Sequence, residues 1–217
     1  MKRFTFILIT FVLVFLEAIA DNFPLSAINF HEAYLDVPLV KNASENPGTL
    51  SEDAMAYLFD ENNPLDVKLA IINAIGYDPD KRLSTIVDYQ NYCASNLDKK
   101  KFNHPENQIV TRQDLLSYAN PDQMAIFVYL TALADHFSIM PAYELAESAM
   151  QNPVNKQSFM LPMAFVWAQL KLDMGQWNEI YPTMEYLFLG AEQKDMRPEA
   201  VKIIMDYINK YKENSLQ

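Results

Sequence analysis

Cysteine, glycine and histidine are all scarce in this chain. Cys93 is the one cysteine among 217 residues, so no intramolecular disulfide can form and the fold must be held by packing. Four glycines is few, which favours helix over sheet, because glycine costs ~1 kcal/mol per helical position relative to alanine. No stretch alternates strictly between apolar and polar residues, as a half-buried strand would. The three histidines, His31, His104 and His136, stand in no metal-ligand spacing. There is no H-E-x-x-H, Cys/His cluster, G-x-S-x-G or glycine-rich phosphate loop. The sequence therefore assigns no catalytic residue, no metal and no cofactor.

Positive charge is also in short supply. Seventeen basic residues face 28 acidic ones, for a net charge of −11. Such a field repels nucleic-acid phosphate and anionic lipid headgroups, which argues against nucleic acid as a partner.

What is present begins at the N-terminus. Lys2 and Arg3 precede an apolar run from Phe4 to Leu16 broken only by Thr5 and Thr10, and Ala18-Ile19-Ala20 closes it. This is the order of a secretory signal peptide, and the run is shorter than the ~20 residues a membrane span needs. Residues 1–20 are expected to be cleaved, leaving a mature protein from Asp21 that is secreted or periplasmic, with no membrane insertion after cleavage. Asp21 stands where a lipoprotein would carry cysteine.

Residues 21–48 hold apolar groups without a sustained period, broken by Pro38, Pro47 and Gly48. A short helix and then loop are expected there. From residue 49 to 217 a single all-helical domain is expected. Thr49-x-x-Glu52 looks like a capping box for a helix to about Phe59. Asn63 as N-cap and Pro64 at the first position start the next, which stops at Gly76. Asp78-Pro79 opens a helix to about Leu97, followed by Lys99, Lys100 and Lys101, which suit a helix C-terminus, and then by loop over 102–110. Thr111-x-x-Asp114 caps a short helix. Asn120-Pro121 starts one to about Phe137, and Pro141 opens another through Met150. A helix capped by Ser158, with Pro162 in its first turn, runs to about Met174 and ends at Gly175. Trp177 to Leu189 reads as helical with a kink at Pro182. The last helix starts at Pro198, burying Val201, Ile204, Met205, Ile208 and Tyr211, with Asp206 and Lys210 as an i,i+4 pair.

The count is eight or nine helices. Asn-Pro or Asp-Pro recurs at junctions 63–64, 78–79, 120–121 and 152–153. Short connections make neighbouring helices antiparallel hairpins, stacked as a short α-solenoid or packed as a compact helical array. Leu83, Ile86, Val87, Cys93, Ala94 and Leu97 fall on one stripe, which puts the Cys93 thiol in the core. An intermolecular disulfide or a nucleophilic role is the alternative.

Residues 121–190 resemble tetratricopeptide-like helical repeats. Ala142, Ala146 and Ala149 take the small-residue positions of one hairpin, with Asn152-Pro153 near the repeat-ending proline. Ala168 and Gly175-Gln176-Trp177 match the small residue, the interhelix turn and the following aromatic of a second. Pro153 comes one residue early, and Ile180 and Leu187 stand where that family places small residues. The resemblance implies a superhelical stack with a groove for a peptide or protein.

Two constellations could carry chemistry. Asp135-His136 could make a general base, but adjacent helical side chains point apart. Glu144 and Glu147 could act on a glycan, but hydrolysis needs carboxyls across a cleft, and these share one helix face. Among the aromatics, Phe165 and Trp167 lie in a stretch apolar all round, the mark of a buried helix. Trp177, Tyr181 and Tyr186 are the candidate binding residues. Asn42-Ala43-Ser44 fits a glycosylation sequon. The function expected is that of an exported, non-enzymatic protein acting through protein or peptide binding. An exported hydrolase of glycan or peptide, or a carrier with an apolar core pocket, is the alternative.

Overall fold

The computed structural model describes residues 24–78, 80–97, 110–135, 138–152, 154–190 and 195–216. The leader with its cleavage site at Asp21, the lysines at 99–101, His104, His136, and Pro79 and Pro153 lie outside the described residues.

Among the described residues the fold is all-α, with no strand. The helices are α1 (Pro24–Ala27), α2 (Pro38–Glu45), α3 (Glu52–Phe59), α4 (Leu65–Ile75), α5 (Arg82–Asn96), α6 (Arg112–Tyr118), α7 (Pro121–Ala134), α8 (Met140–Met150), α9 (Gln157–Asp173), α10 (Ile180–Met184) and α11 (Pro198–Ile208). None is long and apolar enough to cross a membrane.

The centre is α7 and α9. Both are apolar nearly all round and buried along most of their length, because each is packed on several sides. α7 meets α4, α5, α8 and α9, while α9 also meets α8 and α10. A solenoid's repeats touch only sequence neighbours. Here the 3-10 turn Phe30–Tyr34 packs against the last long helix, α11, so the ends of the described chain meet and the array is compact.

That contact corrects the expected boundary at residue 48. Ile28, Phe30, Tyr34, Val40 and Ala43 are all core residues, and Phe30 lies 6.4 Å from Phe165, ring centre to ring centre. The segment looked irregular because its elements are one or two turns long, too short to show a period.

Several helix ends differ from expectation by a residue or two. Ser51, not Thr49, caps α3, its hydroxyl accepting from the Ala54 N–H at 3.2 Å. Pro64 is itself the N-cap of α4, and the Asn63 amide turns back to the Tyr57 carbonyl. Thr111 and Asp114 do form a reciprocal capping box, with bonds of 2.7 and 3.2 Å. Asn120 caps α7, with Pro121 in its first turn. Ser158 lies inside α9, where its N–H and hydroxyl both donate to Asp195, and this moves Pro162 into the helix interior.

Gly175 ends α9 at φ +71, its N–H bonded to Leu172 O and that of Gln176 to Lys171 O, at 2.9 and 2.8 Å. These are the two bonds of a Schellman turn, which favours glycine. The stripe of α5 is rotated from the expected one. Ile86, Tyr89, Cys93 and Leu97 are buried, whereas Leu83 and Val87 are exposed. Burial raises the Cys93 thiol's pKa to about 12. On α11, Asp206 pairs with Lys202 rather than Lys210.

Candidate functional site

Two buried polar clusters join the N-terminal segment to the core. In the first, Asn73 uses its whole amide. Its Oδ1 accepts from the His31 backbone N–H and lies 2.9 Å from His31 Nδ1. A carbonyl oxygen only accepts, so Nδ1 carries the proton. Asn73 Nδ2 donates to Ile28 O at 2.8 Å and to the Tyr129 hydroxyl at 2.9 Å. In the second, the Tyr34 hydroxyl donates to Asp66 at 2.9 Å and accepts the Arg197 N–H at 3.1 Å. The Arg197 guanidinium lies 4.5 Å over the Tyr34 ring and forks onto both oxygens of Asp36. Burial raises the Asp66 carboxyl above its ordinary range, against the hydrogen bond from Tyr34. These groups hold one another, and so read as structure rather than chemistry.

Lys68 is different. It is 1% exposed, and its ammonium makes no hydrogen bond or ion pair among the described residues. Burial lowers its pKa, and the charges of Asp122, Asp60 and Glu61 offset this only in part. Asp60 and Glu61 line a cleft of about 290 Å³ with Asn120 and Gln123. A buried cation without a partner costs stability. Lys68→Met is therefore expected to raise Tm at pH 7, measured by calorimetry. A lowered Tm would mean that the ammonium has a partner worth more than its desolvation costs.

The three aromatic candidates separate. Trp177 is 42% exposed. It stacks on Tyr211 at 6.3 Å and 25°, and Tyr211 in turn lies 6.0 Å from Tyr207. The Lys210 ammonium sits 4.6 Å over the Tyr207 ring. Tyr181 is buried and presents little surface to a partner. The Lys212 ammonium covers its ring at 5.1 Å, and its hydroxyl donates to Glu185 at 3.2 Å. Tyr186 is the most exposed of the three at 79%. It stands on a π-helical turn, Glu185–Leu189, and stacks on neither of the others.

The ladder Trp177–Tyr211–Tyr207 leads into a second cleft, of about 270 Å³. One wall is Ala27, Ile28, Asn29 and Glu32. The other is the stripe Ile203, Asp206, Tyr207 and Lys210 on α11 and its 3-10 extension. Sequence reasoning missed Tyr207, although Tyr207 and Tyr211 are four apart and must share a helix face. The cleft itself was not legible, because its walls are roughly 175 residues apart in the chain and meet only in the tertiary structure, where the turn Phe30–Tyr34 packs on α11.

Glu144 and Glu147 are exposed on α8, with Glu147 accepting from the Tyr143 hydroxyl at 2.5 Å. No group of three or more His, Cys, Asp or Glu side chains among the described residues is placed to hold a metal ion. A void beside Ile75, Leu130 and Leu133 holds about 10 Å³, room for a water and no organic ligand.

No family model matches the chain, and no curated protein and no solved structure matches it either.

Proposed function

We propose that this is an exported, non-enzymatic protein that binds a segment of protein or peptide along the aromatic ladder and its adjoining cleft. The observation that carries this reading is the ladder itself. One face of Trp177 is backed by Tyr211, while the side chain remains 42% exposed. A large ring that is preorganised by stacking and open to solvent gains the most from covering, and such rings dominate binding energies. The net charge of −11 sets the reading against nucleic acid.

Trp177→Ala separates a binding role from a structural one. The ring is not core, so the variant should melt within about 1 kcal/mol of the parent. Its affinity for a peptide selected on the parent from a random library should fall at least about tenfold. A loss of ~3–5 kcal/mol in stability with affinity unchanged would make the ring structural and end the proposal. Export is tested separately. N-terminal sequencing of extracytoplasmic protein should start at Asp21, because Ala18 and Ala20 satisfy the peptidase. Full-length protein confined to the cytosol would refute it.

A further inference from the structure

We infer that the occupant of this cleft is an extended peptide segment that sets a cationic side chain, arginine above lysine, beside Glu32 and an apolar side chain against Trp177. The inference rests on the proposed binding at the ladder and names the chemistry of its partner. Of the charged side chains lining the cleft, Glu32, Asp206 and Lys210, it is Glu32 that is left for a cation. Lys202 already engages Asp206 at 2.5 Å, and Lys210 is held over Tyr207 on the wall opposite Glu32. Glu32 is exposed at the cleft and is engaged by no cation among the described residues. An incoming guanidinium would find there a carboxylate still to be paired, in the two-pronged geometry arginine offers. The chain's excess of acid, −11 overall, attracts such a partner from a distance.

The ladder also sets a spacing. Ring centres are 6.0 Å apart from Tyr207 to Tyr211 and 6.3 Å from Tyr211 to Trp177. Roughly four residues of extended chain cover that path. A basic residue in the cleft therefore brings a side chain about four positions away onto the open face of Trp177.

The probe is an acetylated, amidated pentapeptide with arginine first, phenylalanine last and serines between, titrated calorimetrically into the protein. Two companions carry leucine or glutamate in place of the arginine. The arginine peptide should bind roughly tenfold tighter than the leucine peptide, with the glutamate peptide weakest, and added salt should shrink the difference. Glu32→Gln should remove the arginine advantage and leave the leucine peptide's affinity unchanged. Glu32→Lys should reverse the order of the arginine and glutamate peptides. Equal affinity for the arginine and glutamate peptides in the parent overturns the cationic partner while leaving binding at the ladder standing. No binding of any of the three peptides overturns both.

Discussion

A protein that begins at Thr49 is expected not to fold, whereas one that begins at Asp21 folds cooperatively. Four large core side chains, Ile28, Phe30, Tyr34 and Val40, lie before residue 49 and are at most 1% exposed. Burying each contributes about 1.5–3 kcal/mol. Together they are comparable to the whole net stability of a domain, about 5–15 kcal/mol. Their loss also opens the faces of α4, α9 and α11 that they cover, and strips partners from Asn73 and Arg197. Near-ultraviolet circular dichroism and a thermal scan decide the matter. A cooperative melt near the parent's Tm in the shortened protein would mean that 49–217 is a domain by itself and that the N-terminal segment only rests on it.

Asn73→Ala is the most damaging single change foreseen, at ~3–5 kcal/mol. The Asn73 amide serves two groups of His31, the Ile28 carbonyl and the Tyr129 hydroxyl. Asn73 and Ile28 are 5% and 1% exposed, and Tyr129 is fully buried, so water cannot replace the lost bonds without entering the core. Each buried group left without a partner costs ~1–3 kcal/mol. For a protein of this size that is a fall in Tm of roughly 10 °C. Tyr129→Phe, which removes one member and keeps the ring, should cost only ~1 kcal/mol. If both variants melt alike, the four bonds do not act as a unit. A loss under about 1 kcal/mol for Asn73→Ala would mean that solvent reaches the site.

Much of the helical framework was legible in the sequence because its causes are local. Thr111 with Asp114, Asn120 with Pro121, and Gly175 act within one turn of chain, and each stands where expected. The burial of α7 and α9 was legible because both are apolar on every side, which only a central position satisfies. The last helix showed its buried face through a clear 3.6-residue period, with Ile204, Ile208 and Tyr211 inside. The stripe of α5 puts Cys93 in the core, where it lies, but it also includes Leu83 and Val87, which are exposed. A single helix's period gives the width of the apolar stripe, but its neighbours decide which edge of the stripe is covered.

The tertiary structure decided the rest. Nothing local marks Asn73 or Lys68 as buried, since a polar residue in an apolar helix can lie inside only if other elements close over it. Tyr181 and Trp177 are four apart, yet one is covered by Lys212 and the other stays open to solvent, because the residue pair that matters is contributed by the C-terminal segment. The cleft beside Tyr207 exists because the turn Phe30–Tyr34 packs on α11, a contact that the stacking of Arg197 on Tyr34 reinforces. Composition, caps and periods act over a few residues and set what each helix is. Contacts between distant residues set which side chains share a surface, and a binding site is made of those.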